Sequence, residues 1–245
     1  MKILVCISHV PDTTSKINFV DNNTRFDTTG IQFIIGPYDD YALARAIELK
    51  ESLKATVTVL NVGTEVTEPT IRKALAIGAD DAIRVNAEPV DSHFVARQIA
   101  DQASRNNYDL ILMGRESIDY NSGIVHGLVG SMLGIPSVSP VMKLDVAGKK
   151  VVMTREIEGG KESIEATLPL IAGCQEPIAE WKIPSMRGIM SAKTKPLSVV
   201  EAIPVDSYTE IRRFELPPPK GGVKIIDPDR MDELVTLLKN EAKVI

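Results

Sequence analysis

Apolar and polar positions divide the first half of the chain into two alternating kinds of segment. Short runs of β-branched and other apolar residues predict buried strands, and the longer segments between them repeat their apolar residues at helical spacing. The predicted strands cover residues 2–7, 56–62, 82–85, 109–113 and 137–141. Strands that alternate with helices are typical of βαβ units. We therefore predict an α/β fold with a doubly wound, mostly parallel sheet covered on both faces.

Four helices are predicted between these strands from residue types that favour helix ends. The predicted starts are residues that can cap a helix, namely Asp39 or Asp40, Thr67, Asp91 or Ser92, and Ser122. The first helix is expected to run to about Lys54, the second to end at Gly78 and the fourth at Gly134. The longest uncharged run, residues 120–142, contains prolines and glycines, so we interpret it as helix, turn and strand rather than a membrane span.

The pattern changes after Val141 to short alternating segments separated by glycine-containing turns. This pattern predicts an added antiparallel hairpin, and the apolar run from Leu168 to Cys174 is expected to return to the main sheet. We place the end of the α/β domain at residue 183, which gives a domain of residues 1–183 and an extended C-terminal arm of residues 184–245.

The arm has the composition of a segment that cannot fold alone. Residues 182–224 hold six prolines and eight Lys or Arg against four Asp or Glu, without a convincing apolar period. Asp227 and Pro228 then indicate a terminal helix, whose apolar stripe is Met231, Leu234, Val235 and Leu238. A helix at the end of such an arm favours docking on a partner.

Composition and charge narrow the classes of function. The net charge of -5 and the pI near 5.4 argue against a nucleic-acid partner, because no broad basic surface is expected. Two cysteines in predicted strands suggest no disulfide framework, and the N-terminus lacks the apolar region of a signal peptide. We expect a cytoplasmic protein with no transmembrane segment.

The turn from Gly114 to Val125 is the strongest candidate for a binding site. It follows a predicted strand and opens a helix, where free N–H groups and the helix dipole favour a phosphate. Ser122 can add a hydroxyl donor, and Gly123 allows close backbone approach. The alternative is that Gly114 is only a turn residue, Asp119 a solvated acid and Ser122 an N-cap. Because no dinucleotide fingerprint or P-loop motif is present, the site would hold a nucleotide without hydrolysing it.

Outside residues 114–125, the sequence shows no strong pattern of catalytic or metal-binding residues. His9, His93 and His126 fall on different predicted elements, and Cys6 and Cys174 lie in apolar strands, so each is interpreted as a packing residue. We predict neither a catalytic residue nor a metal site.

Residues 154–162 read TREIEGGKE, which is similar to the motif T-R-E-I-D-G-G-x-E. Together with several other stretches, in order and across nearly the whole chain, this segment resembles the β subunit of electron-transfer flavoproteins, and it is the most specific match. In the arm, residues 189–193 resemble I-M-K-A-K, the loop that touches acyl-CoA dehydrogenases. The other matching stretches are residues 2–12, 35–42, 74–80 and 114–119.

The resemblance implies an electron carrier rather than an enzyme. It implies a Rossmann-like, adenine-nucleotide α-hydrolase-like fold, and a heterodimer with an α subunit that carries FAD. The chain itself would bind AMP, or a second FAD in electron-bifurcating members that oxidise NADH. It would help to pass electrons from dehydrogenases, as in fatty acid oxidation, to a respiratory or other acceptor. The arm would then contact the partner subunit and redox partners.

The resemblance also assigns residues by position. Cys6 and Val62 would line the adenine, Asp39 would lie near the ribose or adenine, and Gly123, Ile124 and Val125 would meet the phosphate. Together with the turn residues named above, the implied cofactor site is Cys6, Asp39, Val62, Gly114, Asp119, Ser122, Gly123, Ile124 and Val125. The implied partner-binding residues are Met186, Ile189 and Met190.

Two departures from the family pattern bear on how a nucleotide would be held. Ile124 stands where the family has Gln, and Ser8 stands where it has Lys after the first strand. Backbone N–H groups would therefore do most of the holding. A free-standing nucleotide-binding regulator of the universal-stress type is the alternative from another class, although it would not need the arm. An ATP-using ligase or pyrophosphatase would need an S-G-G-x-D-S loop after the first strand, which is missing.

Overall fold

The computed structural model describes residues 1–219 and 221–245, and its regular elements alternate along most of that length. In chain order the strands are β1 (Lys2–Cys6), β2 (His9–Pro11), β3 (Phe19–Val20), β4 (Arg25–Phe26), β5 (Phe33–Ile35), β6 (Thr56–Val62), β7 (Asp81–Asn86), β8 (Leu110–Gly114), β9 (Ser137–Ala147), β10 (Lys150–Ile157), β11 (Gly160–Thr167), β12 (Leu170–Cys174) and β13 (Leu197–Glu201). The α-helices are α1 (Pro37–Leu53), α2 (Glu68–Ile77), α3 (Ser92–Asn106), α4 (Val125–Leu133), α5 (Met186–Ala192) and α6 (Met231–Leu237). Single turns of 3-10 helix cover Glu65–Thr67 and Pro228–Arg230, and a π-helical turn covers Leu238–Ala242.

Nine strands form one sheet in the order β11-β10-β9-β12-β8-β1-β6-β7-β13. Seven neighbouring strands of this sheet pair in parallel, namely β9, β12, β8, β1, β6, β7 and β13. Strand β10 pairs antiparallel with β9 and with β11. The predicted α/β class, the mostly parallel sheet and the added hairpin are therefore confirmed. The return of the chain through β12, between β9 and β8, is confirmed as well.

Helices cover both faces of this sheet because alternate side chains of each strand point to opposite faces. Ile3 and Val5 of β1 pack in a cluster with α1 and α2, which contribute Leu43 and Leu75 among others. The intervening strand residue, Leu4, packs in a second cluster with α3 and α4. The sheet is thus the middle layer of three, and both clusters are fully buried at their centres.

The first helix starts differently from the prediction. Neither Asp39 nor Asp40 caps it, because α1 begins at Pro37 with Gly36 as its N-cap and no side-chain cap. Proline is pre-organised for the first helical position, so this start needs no capping side chain. Both aspartates are instead buried in the first turn, where their carboxylates serve other contacts.

The other helix starts are partly as predicted. Asp91 caps α3 by accepting the N–H of Phe94 at 2.7 Å, which confirms that prediction. Thr67 occupies the N-cap of α2 but makes no side-chain cap bond. The start of α4 near Ser122 is wrong by three residues, because the helix begins at Val125. Residues 120–142 nevertheless form a turn, a helix and a strand, as interpreted from the sequence.

The connection from β1 to α1 carries two small antiparallel pairs that the sequence pattern did not predict. Strand β2 pairs with β5, and β3 pairs with β4, over two or three residues each. These short ladders hold the connection at the carboxyl end of β1, next to the site described below.

The arm contributes to the sheet before it extends away. Strand β13 pairs in parallel with β7 along five residues, and α5 packs on α2. Arg72 of α2 donates to the carbonyl oxygens of Ala192 and Lys195 at 2.9 and 2.8 Å. The boundary at residue 183 stays a prediction, and these contacts fix residues 186–201 on the α/β core. Within residues 1–219 and 221–245, every helix is too short or too polar to cross a membrane.

Candidate functional site

The sheet has a point where successive connections leave on opposite faces. Strands β1 and β8 are neighbours, and the chain leaves β1 towards α1 on one face and β8 towards α4 on the other. In open parallel sheets, ligands bind in the crevice outside the carboxyl ends of two such strands. The crevice here lies between Cys6 and Gly114, and both belong to the predicted site.

Asp39 joins the two strand ends at this crevice. One carboxylate oxygen accepts the backbone N–H of Ser8 at 2.8 Å and also the Ser8 hydroxyl. The other oxygen accepts the N–H of Gly114 at 2.8 Å. Asp39 therefore ties the end of β1 to the end of β8, a contact between residues that are 75 positions apart in the chain.

The charge of Asp39 is unfavourable where it lies. The pKa of this carboxyl is raised to about 6, chiefly by burial and to a lesser extent by the neighbouring charge of Asp40, while the three hydrogen bonds from Ser8 and Gly114 act in the opposite direction. The group is thus poised to change its protonation state near neutral pH.

Two glycines make room for this carboxylate. A Cβ at Gly114 would lie 2.6 Å from Oδ1 of Asp39 and 2.7 Å from Cβ of Tyr38. A Cβ at Gly36 would lie 2.5 Å from Oδ2 of Asp39. Real side chains do not approach so closely, so both positions require glycine for packing. Gly114 is more than a turn residue for this reason.

The turn after β8 is closed by its own backbone. Ser117 and Ser122 exchange backbone hydrogen bonds of 3.4 and 3.3 Å, and the hydroxyl of Ser122 hydrogen-bonds to that of Ser92 at the start of α3. Ser122 therefore links the turn to α3 instead of capping α4. Asp119 is exposed and accepts the N–H of Tyr120 at 3.0 Å and the hydroxyl of Ser117, as expected of a solvated turn acid.

The start of α4 offers N–H groups for an anion. The N–H of Gly123 is already bonded to the carbonyl of Asn121 at 3.1 Å. The following N–H groups of Ile124, Val125 and His126 have no partner among the residues that the structure describes. The first N–H groups of a helix lack intrahelical acceptors and lie at its positive dipole end, a position that favours an anion in general.

An apolar wall lies on the same face of the sheet. Cys6, Val62 and Val125 belong to the cluster that also includes Phe94 of α3. Burial, and the negative charge of Asp39, raise the pKa of the Cys6 thiol, so this group is a neutral apolar surface. The structure thus brings the predicted adenine-lining residues into one cluster with Val125, whereas Ile124, also predicted to meet the phosphate, is exposed.

Histidine and cysteine do not converge on a reactive centre. His9 bonds to Thr70, His126 lies near Ser137, and His93 contacts Tyr208. Over residues 1–219 and 221–245, no group of three or more His, Cys, Asp or Glu side chains comes together as a metal site requires.

The predicted partner-binding residues lie together on α5, away from the crevice. The exposed fractions of Met186, Ile189 and Met190 are 77%, 42% and 63%. Ser185 caps this helix through the N–H of Gly188 at 3.1 Å, and a Cβ at Gly188 would collide with the Ala76 carbonyl of α2. The apolar side chains are thereby held outwards on a fixed helix.

Sequence reasoning missed the residues that build the crevice around Asp39. Ser8 entered the sequence analysis only as a departure from a family pattern, and neither its hydrogen bond to Asp39 nor the close approach of Gly36 to the same carboxylate was predicted. Asp40 also has unforeseen partners, since it accepts the indole N–H of Trp181 at 3.1 Å and lies 3.8 Å from the Lys73 ammonium. The sequence signal for these contacts is the Gly36-Pro37 pair with Asp39 and Asp40 shortly after it. This local pattern does not indicate which distant residues the two carboxylates contact.

Comparison with known proteins identifies the family. Residues 24–205 match the model of the electron transfer flavoprotein domain. The electron transfer flavoprotein subunit beta of Bacillus subtilis is 36% identical over 260 residues, covering 100% of both chains. Those of Syntrophomonas wolfei and Bradyrhizobium diazoefficiens are 36% and 32% identical, cover 100% of this chain, and are themselves covered over 98% and 100% of their lengths. The chain therefore belongs to the electron transfer flavoprotein β-subunit family.

Proposed function

We propose that this chain is the β subunit of a heterodimeric electron-transfer flavoprotein, which carries electrons through bound flavin and catalyses no bond change alone. Relatives that are matched over their full length and named as subunit beta support this role. The α subunit would carry the FAD, and this chain would contribute a nucleotide site and part of the contact with redox partners. A flavin supplies one- and two-electron transfer chemistry when it is bound.

One observation supports the nucleotide site: the N–H groups of Ile124, Val125 and His126, at the start of α4, have no partner within the described part of the chain and lie beside an apolar wall. The N–H groups of Ile124, Val125 and His126 would hold the phosphate of AMP, and Cys6 and Val62 would contact its adenine. Backbone groups suffice for this role, because a helix N-terminus binds a phosphate without a basic side chain.

A second FAD is the alternative ligand, and it would make the heterodimer an electron-bifurcating, NADH-oxidising flavoprotein. The supporting observation is an open cleft of about 620 Å³ beside the turn, which residues 118–121 line from one side. AMP would leave this cleft free, whereas a dinucleotide could extend into it. A universal-stress-like regulator is disfavoured, since it would have no use for the outward apolar residues of α5 and α6.

Ligand analysis of the complex tests both nucleotides. The chain is co-expressed with the flavin-binding subunit encoded beside it, and the ligands released by acid are quantified per heterodimer. One FAD and one AMP support the conventional carrier, and two FAD support bifurcation. Failure to obtain any flavin-containing complex would refute the electron-carrier proposal. In a Gly123→Val variant, the nucleotide content is expected to fall while the far-ultraviolet circular dichroism stays unchanged.

Redox partners are proposed to include dehydrogenases of the acyl-CoA type as donors and a respiratory or other acceptor. Docking of the dehydrogenase is assigned to Met186, Ile189 and Met190, because apolar anchors held on a rigid helix are typical of interaction sites. Replacing Met186 by Glu should slow reduction of the complex by an acyl-CoA dehydrogenase about tenfold or more. The control is Val66→Glu, which changes a similarly exposed apolar residue, with 70% exposure, outside α5. Equal rates for both variants would exclude this surface.

The remaining parts of the proposal concern location and other partners. We place the heterodimer in the cytoplasm, and the net charge of -5 supports the absence of a nucleic-acid partner. The arm beyond residue 183, with α6 at its end, would contact the α subunit. Met231 and Val235 of α6 are 46% and 52% exposed, which supports docking of this apolar face on another protein.

A further inference from the structure

Part of the arm returns across the carboxyl edge of the sheet instead of leading away from it. We name residues 203–214 the strap. Its first residue, Ile203, is held by Gln98 of α3, whose side-chain amide donates to the Ile203 carbonyl at 2.8 Å and accepts its N–H at 2.9 Å. Gln98 is only 1% exposed, so this two-bond pairing is a buried attachment.

A second attachment lies at the start of α3. Asp91 caps the helix with one carboxylate oxygen, while the other accepts the N–H groups of Tyr208 and Thr209 at 2.6 and 3.1 Å. The rings of His93 and Tyr208 are in contact, with centroids 4.4 Å apart. The hydroxyl of the adjacent Ser92 hydrogen-bonds to that of Ser122 in the turn after β8. The strap is therefore attached directly beside that turn.

The strap is held again on the opposite side of the crevice. Phe214 donates its N–H to the carbonyl of Asn23 at 2.7 Å, and its ring stacks on Phe19 with centroids 4.8 Å apart. Phe19 and Asn23 lie in the connection that follows β1. Between its two ends, strap residues 210–214 face turn residues 118–121 across the cleft of about 620 Å³.

We propose that the strap closes the mouth of the nucleotide site and slows exchange of the bound nucleotide. The chain thus retains its ligand by a segment fastened on both sides of the crevice, at α3 and at the connection after β1. Gln98 and Asp91 are positioning residues, because they act on the site through the strap. The inference rests on the proposed nucleotide function, and it adds how the site opens.

The strap would retain the nucleotide because several of its contacts with α3 and with the connection after β1 must break before it can move. Release of a nucleotide past residues 118–121 requires movement of residues 210–214, which are restrained at Tyr208 on one side and Phe214 on the other. Hydrogen bonds and an aromatic contact would have to break before the cleft opens. Opening of this kind is local and leaves the sheet intact.

The test compares two glutamines on the same helix. Gln98→Ala removes both bonds to Ile203. Gln102→Ala is the matched control, because it removes a buried side chain whose one hydrogen bond within the described residues goes to Asp101 of the same helix. The heterodimer is loaded with radiolabelled AMP and chased with excess unlabelled AMP; a complex that carries two FAD is followed by FAD fluorescence instead. Release from Gln98→Ala is expected to be about tenfold faster than from the wild type and Gln102→Ala.

Trypsin cleavage after Arg212 and Arg213 gives a readout that needs no nucleotide. Both lie within the strap, so a loosened strap should be cut faster in Gln98→Ala than in Gln102→Ala. Tyr208→Ala serves as the second variant, because it loosens the strap without changing α3 and stays informative if Gln98→Ala does not fold. Faster cleavage with unchanged release overturns the closing role, and unchanged cleavage overturns the attachment. A wild-type heterodimer without any nucleotide on this subunit instead refutes the proposed function.

Discussion

Asp39 makes a quantitative prediction about pH and stability, because its charge is buried where two strands end. Burial raises the pKa of this carboxyl from 3.8 to about 6. At about 1.36 kcal/mol per pH unit, the difference corresponds to roughly 3 kcal/mol of free energy of unfolding. Asp39→Asn keeps the shape and the acceptor for Gly114, and it removes the ionisation.

The sign of the effect follows from which state binds the proton more tightly. The folded chain has the higher pKa at Asp39, so between pH 4 and pH 6 it holds a proton that the unfolded chain has lost. The contribution to stability is fully present below about pH 4 and is lost as the pH rises through 6. The free energy of unfolding of the wild type, minus that of Asp39→Asn, should therefore fall by up to about 3 kcal/mol from pH 4 to pH 7.

Urea unfolding followed by circular dichroism, at several pH values between 4 and 8, measures this difference. The amide group that Asp39→Asn introduces would face the Ser8 N–H, which costs about 1–3 kcal/mol at every pH, so only the pH slope is diagnostic. Asp12→Asn is the control, because hydrogen bonds from Thr14 lower the pKa of Asp12 and reverse the sign of its small effect. A difference between wild type and Asp39→Asn that stays constant with pH would refute the reasoning.

Three further predictions concern packing and attachment. Gly114→Ala should lower the free energy of unfolding by about 1–3 kcal/mol or more, because its Cβ would overlap the crevice, whereas Gly127→Ala, in open space on α4, should raise it by up to about 1 kcal/mol. Cys6 and Cys174, which are 5% and 0% exposed and whose thiol pKa is raised by burial, should resist iodoacetamide in the folded protein and react in urea; mass spectrometry of labelled peptides would show the difference. Arg72→Ala should release α5 from α2, which faster proteolysis at the following Lys residues would detect and unchanged proteolysis would contradict.

Local apolar patterns were sufficient to predict much of the sheet. Strand β6 has the predicted bounds, and the Leu168–Cys174 run returned to the sheet as expected, because buried central strands are rich in apolar residues. Strand β13 was missed for the converse reason. Leu197–Glu201 forms an edge strand with mostly exposed or half-buried side chains, so its apolar pattern is weak and its pairing with β7 depends on tertiary structure.

For the candidate site, the sequence predicted that the turn follows a strand and precedes a helix, but it did not predict the contacts of that turn. The turn after β8 was found because a strand followed by a helix fixes where the chain ends meet. The partners of Ser122 and Asp39 were not predictable, since a serine before a helix usually caps it, whereas here Ser92 binds its hydroxyl. Asp39 likewise contacts residues 31 and 75 positions away, which no local pattern encodes.

The hydrogen bonds at the crevice divide into two sets, and this division supports the proposal that backbone groups hold a phosphate there without side-chain donors. The N–H groups of Ser8 and Gly114 are occupied by Asp39, so they hold the strand ends together and are not free for a ligand. On the other side, the N–H groups from Ile124 to His126 have no partner among the described residues. Strand fixation and the proposed anion binding therefore use different backbone groups. Ile124, where the resemblance implies Gln, lacks a side-chain donor but keeps its own N–H. Binding by such groups depends on the orientation of α4, which Ser122 and the residues around the start of α3 hold in place.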